Sequence, residues 1–153
     1  MDDLTYLYTS FNGRINRAPY WLGAIILAVV MLTISLVVGA LLGVSIMAPD
    51  FRFKLISLVL AVLVLYPAVA LMVKRLHDRD RPAWLAGLFV APGLIKSVTD
   101  VIGVTGNPLA PNMLDLLLGV LAPVIAIWAF VELGCLRGSV GNNQHGPDPL
   151  SDS

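Results

Sequence analysis

Between Ala18 and Pro49 the chain carries no charged residue. A helix needs only about 20 residues to cross a hydrocarbon core of about 30 Å, so this segment alone predicts a membrane span. It is too long for the apolar region of a signal peptide and should be retained. A second charge-free run covers Leu55 to Val73 and stops at Lys74-Arg75. A later one, Met113 to Val131, is interrupted only by Asp115 and closed by Glu132. The composition agrees, at 58% hydrophobic and 13% charged, far from the roughly one-quarter charged residues of soluble domains.

The third segment is the least regular. Pro82 to Ile95 is uncharged but contains Pro92-Gly93, a pair that kinks or breaks helices. Lys96 and Asp100 stand four apart and can pair on a helix, so Ala83 to Ile102 is expected to span with a polar outer end, short and open to a break at Pro92-Gly93. The fold class is therefore all-α: a multi-pass transmembrane bundle of four helices at 20–47, 55–73, 83–102 and 113–133. An amino-terminal approach at 1–19 and a tail at 134–153 complete a single membrane domain. Leu4, Leu7, Tyr8 and Phe11 recur at helical spacing and suggest a short interfacial helix.

Orientation follows from cation asymmetry between short loops. With the amino terminus inside, the inner face carries Arg14, Arg17, Lys74, Arg75, Arg79, Arg81 and Arg137, and the outer face Arg52, Lys54 and Lys96. Both termini are thus expected in the cytoplasm. Ten Lys and Arg against ten Asp and Glu give no overall field that would attract nucleic acid. Cys135 is the only cysteine, which excludes an internal disulfide and, with only His77 and His145 beside it, a sulfur-rich metal site. No catalytic, cofactor-binding or metal-ligating set is expected, and no cofactor.

Three polar segments flank the runs. In Phe11-Asn12-Gly13-Arg14-Ile15-Asn16-Arg17-Ala18-Pro19-Tyr20-Trp21, Asn16 can cap a helix and Pro19 suits its first turn. Tyr20 and Trp21, with Trp84 further on, are candidate interfacial anchors. Arg14 and Arg17 are spaced to hold a phosphate, although a plain helix start with anchors accounts for them better. Within Lys74 to Trp84, His77 beside Asp78 has the makings of a general acid or base, yet an internally paired loop explains the same residues more simply. The Gly- and Asn-rich stretch Arg137 to Pro149 is turn chemistry without periodicity.

These motifs resemble the DUF805 family of small bacterial inner-membrane proteins. The resemblance rests on Phe11-x-Gly13-Arg14-x-x-Arg17-x-x-Tyr20-Trp21, on Lys74-Arg75-Leu76-His77-Asp78 with Trp84, and on Gly138-x-x-Gly141-x-Asn143-x-His145-Gly146-Pro147-Asp148-Pro149. Asp80 stands where the family often has glycine, Leu85 where a second tryptophan is frequent, and His145 where an aromatic ring is usual. The resemblance implies a bacterial inner (plasma) membrane location and this architecture, and brings no catalytic residues. Charge-derived topology puts the three motifs on one face, where Arg14, Arg17, Arg75, His77, Asp78, Glu132, Asn143 and Asp148 are the candidate members of a polar cap. Glu132, drawn partly out of water, is expected to pair with Lys74 or Arg75, and next with Arg14.

Ser35, Gly39 and Gly43 fall four apart and form a small-residue seam for close helix approach, within the chain or in a homo-oligomer. Pro67 and Pro123 are expected to kink their spans. The expected role is a non-enzymatic membrane module, embedded in the lipid bilayer, whose cap binds a protein partner or an anionic lipid headgroup. A small transporter or channel is the first alternative, though it usually needs polar groups near the midplane. A membrane enzyme acting on a lipid phosphate through His77 is the second.

Overall fold

A computed structural model describes residues 4–43, 50–105 and 110–150. Five α-helices follow one another: α1 (Leu4–Thr9), α2 (Arg17–Leu42), α3 (Phe51–Asp78), α4 (Trp84–Val101) and α5 (Met113–Ala129), the last running on into a π-helical turn, Phe130–Cys135. Helices α2, α3 and α4, and α5 with its π turn, are each long and apolar enough to cross a membrane. The four-span, all-α architecture expected from the charge-free runs is the one observed.

The helix starts are written in side chains. Asn16 accepts from the Ala18 amide at 3.0 Å, Asp50 from the Phe53 amide at 2.9 Å, and Asn112 and Asp115 form a reciprocal capping box, each satisfying amides that a helix start leaves orphaned. Ala83, which has no polar side chain, opens α4 without such a bond. Gly43 closes α2 in the left-handed conformation at φ 64°, which glycine adopts without steric cost.

Several boundaries differ from the sequence expectation. Helix α2 ends at Leu42, and residues 44–47 of the expected first span lie outside the described residues. Helix α3 extends past Val73 through Lys74, Arg75 and His77 to Asp78, because those polar side chains find partners inside the protein. Helix α4 runs unbroken through Pro92-Gly93. A proline forfeits one amide bond there, but in lipid the helix remains the only way to satisfy the other backbone groups.

Helix α3 is the hub, touching α1, α2, α4 and the π turn, while α5 packs on α4. Its buried residues cluster at one end of the bundle, where Leu7, Ile15, Leu71, Val73, Leu76, Leu85, Ala86 and Leu133 form the core. Helix α1 is docked into that end. Leu7 is buried, the Tyr8 hydroxyl donates to the Gly23 carbonyl at 3.1 Å, and Tyr66 of α3 donates to the Thr9 carbonyl at 2.8 Å. At the opposite end, Lys96 pairs with Asp100 on α4, as its spacing suggests, and reaches Asp115 of α5 at 3.7 Å.

Candidate functional site

Arg14, Lys74, Arg75, Asp78 and Glu132 are all buried. Burying a charge costs several kcal/mol unless it is paired and hydrogen-bonded, so the partners decide what the cluster is. Arg14 donates to Asp78 Oδ1 at 3.1 Å, to the Ser139 carbonyl at 2.8 Å and to the Gly141 carbonyl at 2.8 Å. Arg75 also binds Asp78, and donates to the Leu133 carbonyl at 2.8 Å and to the Leu136 carbonyl. Asp78 thus bridges two guanidiniums, and its own carbonyl accepts from the Ser139 amide at 2.8 Å. Lys74 donates to the Tyr6 carbonyl and, at 2.7 Å, to the Leu7 carbonyl, with its ammonium 4.4 Å from the Tyr6 ring centroid. It closes the carbonyl end of α1, where a cation also suits the helix dipole.

Glu132 does not pair with Lys74, Arg75 or Arg14. Its carboxylate binds Arg79 at 3.1 Å and Arg81 at 3.2 Å. The π turn that carries Glu132 changes the direction in which the side chain points, toward the α3–α4 loop and away from the α3 axis. The loop arginines Arg79 and Arg81 therefore pair outward, and the pair internal to the Lys74–Trp84 segment is Arg75 with Asp78 at the end of α3.

The tail folds around Arg14. Asn143 donates to the His77 carbonyl at 2.9 Å and bridges to Gly146 through both backbone groups. Asp148 accepts from the Leu150 and Gly141 amides at 3.0 and 2.9 Å, and these bonds hold its carboxyl below the usual carboxylate range. His145 lies flat on His77, with centroids 3.8 Å apart and planes 4° from parallel. A planar ring at position 145 is what this stack requires. Nδ1 of His77 sits 3.2 Å from the Gly13 carbonyl, and Asp78 faces the two arginines, so the acid–base arrangement of His77 with Asp78 is not formed.

Of the three aromatic anchors, Trp84 stands out from the bundle at 66% exposed, whereas Tyr20 is buried. Trp21 donates to the Gly134 carbonyl at 3.2 Å, and its ring stacks edge-on with Phe130. Ser35 and Gly39 do line a narrow gap against Phe53 and Ile56 of α3, but Gly43 faces open space. Arg17 is exposed and donates to the Cys135 carbonyl at 3.2 Å.

Residues outside the candidate cap set carry much of the assembly. A Cβ on Gly138 would lie 2.1 Å from the Asp78 carboxylate, and one on Gly134 would lie 2.4 Å from the Trp21 ring. Both glycines allow contacts that any side chain would block. Asp80 adopts φ 53°, a left-handed position that glycine takes freely and Asp tolerates better than most residues.

A family model described as protein of unknown function (DUF805) matches residues 8–147. The chain belongs to the DUF805 family. Inner membrane protein YhaI of Escherichia coli (strain K12) is 25% identical over 143 residues, covering 93% of this chain and 87% of its own length. Inner membrane protein YhaH of the same strain is 25% identical over 142 residues, covering 93% and 88%. Uncharacterized protein YiiR, also from that strain, is 30% identical over 142 residues, covering 91% and 85%. No solved structure matches the chain.

Proposed function

We propose that this DUF805 member is a non-enzymatic module of the bacterial inner membrane, with both termini cytoplasmic, whose polar cap locks the helix ends and offers exposed arginines to an anionic lipid headgroup. The observation that carries the reading is the division of labour among the cations. Arg14, Lys74 and Arg75 are buried against internal oxygens, while Arg17 and Arg137 are exposed at the mouth of a polar cavity of about 30 Å³. A cavity of that size holds no more than a water or two, too little for a substrate. The seven-to-three distribution of cations between the two faces supports the cytoplasmic orientation of the cap, and the cap's place at the helix ends is headgroup depth. His77, the candidate for chemistry, is covered by His145, which favours a structural role over catalysis on a lipid phosphate.

Purified protein in nanodiscs of phosphatidylcholine with graded phosphatidylglycerol provides the test, read by native mass spectrometry of retained lipid. A juxtamembrane cation contributes about 1 kcal/mol toward an anionic surface. Arg17→Ala and Arg137→Ala should therefore each lower the preference for the anionic lipid by roughly fivefold, while Arg17→Lys keeps it. An unchanged preference in the double alanine variant would contradict the reading.

A further inference from the structure

The chain has two histidines, and the fold stacks them on each other. His77 belongs to the last turn of α3 and His145 to the tail, with the rings 3.8 Å apart and 4° from parallel. Beside the stack the tail is bonded to α3, where Asn143 donates to the His77 carbonyl and the Ser139 amide to the Asp78 carbonyl. Nδ1 of His77 sits 3.2 Å from the Gly13 carbonyl. A carbonyl can only accept, so that nitrogen carries hydrogen. Nε2 of His145 is hidden from solvent and has no hydrogen-bond partner among the described residues. An imidazolium carries hydrogen on both nitrogens, so a charged His145 in this position would bury an N–H without an acceptor, which is the costly arrangement.

The charges around the stack do not favour a second proton on it. From the approach to α2, Arg14 donates to the Gly146 carbonyl, next to His145, at 3.3 Å. From α3, Asp78 is engaged by Arg14 and Arg75, and Lys74 by the Leu7 carbonyl of α1. From the α3–α4 loop, Asp80 accepts from Gln144 at 3.3 Å, while Arg79 and Arg81 bind Glu132. From the tail itself, Asp148 accepts from the Gly141 and Leu150 amides. Its carboxyl lies below the usual carboxylate range, so it stays charged wherever imidazole titrates. Each of these carboxylates is engaged by other groups, and Arg14 adds repulsion.

We infer that the His77–His145 stack is an acid-sensitive latch: when both rings become charged, the tail leaves the end of α3 and uncovers Arg14. Two imidazolium rings at stacking distance repel, whereas one charged and one neutral ring can stay together, so the docked pair holds one proton where the released pair holds two. A free imidazole titrates at about 6.5. Docking is therefore at full strength above that pH and weakens as the pH falls below it, by about tenfold per unit, because the released state binds more protons. Release removes the Ser139, Gly141 and Gly146 carbonyls to which Arg14 donates. On the headgroup reading above, Arg14 then joins Arg17 and Arg137 in facing anionic lipid. The latch itself stands without that reading.

Hydrogen–deuterium exchange of the protein in nanodiscs, compared at about pH 7.5 and about pH 5.5 and corrected for the chemical exchange rate at each, tests the latch. Protection at Ser139, Asn143 and Gly146 should fall by about tenfold on acidification while α2 to α5 stay protected. His145→Phe keeps a flat ring that cannot be charged, and should hold the tail protected at both pH values. A second measurement needs no variant, because only two histidines are present. In an NMR titration of histidine-labelled protein, one imidazole should take its proton first, and the other only as the shifts due to ring stacking disappear. An equal fall in wild type and His145→Phe, no fall in wild type, or two independent titrations at the free value would overturn the latch. Loss of tail protection without a gain in preference for phosphatidylglycerol would remove the role given to Arg14 at the headgroups and leave the latch supported.

Discussion

At the cap end of the bundle, five charged side chains are buried and each is bonded within the protein. Along the remainder of the same helices almost nothing is buried. Helix α2 hides only Tyr20 and Gly23, and α5 only Leu118. A water-soluble bundle shows the reverse, with apolar residues gathered inside and charges spread outside. Lipid tails solvate leucine as well as a neighbouring helix does, so apolar contact gives little drive for helices to associate. Polar groups that lipid cannot solvate must find one another, and here they do so at one end. Specific structure in this chain therefore follows its arginines, carboxylates and carbonyl oxygens.

Removing the bridge between the two arginines should give the largest effect. Asp78→Asn leaves Arg14 and Arg75 without their shared counter-charge, and breaking a buried pair costs about 3 to 5 kcal/mol. Leu36→Ala, at an exposed position in the outer half of α2, serves as the control and should change stability by less than about 0.5 kcal/mol. Denaturant titration in detergent measures both. Comparable losses in the two variants would erase the contrast between the ends.

A smaller effect is expected at Glu132. Its side chain is 8% exposed and that of Arg79 is 18% exposed, so the pair lies between the buried and surface limits. A double-mutant cycle over Arg79→Ala and Glu132→Ala should give a coupling of about 1 to 2 kcal/mol. The parallel cycle with Arg75→Ala should give a coupling near zero, since Arg75 is engaged by Asp78 and by carbonyls. Strong coupling to Arg75 would reverse the assignment and tie Glu132 to the central network.

Four spans were legible because an uninterrupted apolar run reports contact with lipid. The same criterion misplaced the end of α3, since a charge inside a helix shows only that lipid is absent there. It says nothing about whether the helix continues. Gathering Arg14, Asp78 and the tail on one face was also legible, from the alternation of spans and loop charges. Their individual bonds were not, because Arg14 and Arg75 rely on backbone carbonyls of Ser139, Gly141 and Leu133, and a carbonyl has no residue signature. Glu132 is withdrawn from solvent as its position suggests, but it faces Arg79 and Arg81 and not the expected Lys74 or Arg75, as no sequence signal announces the π turn beneath it. Gly138 and Gly134 did leave a trace as glycines in or beside a motif, yet only the closeness of Asp78 and Trp21 explains them.

The central claim, that the tail is an integral part of the cap, has one direct test. The amides of Ser139, Gly141, Asn143 and Gly146 are hydrogen-bonded to Asp78, Asp148 and each other, and they lie beyond the last membrane span, where lipid would not shield them. Hydrogen–deuterium exchange on the protein in nanodiscs should find them protected, with protection lost in Asp78→Asn while the spans stay closed. Exchange in the wild type at the rate of a free peptide across 139–146 would mean that the tail is not docked, and would contradict the account.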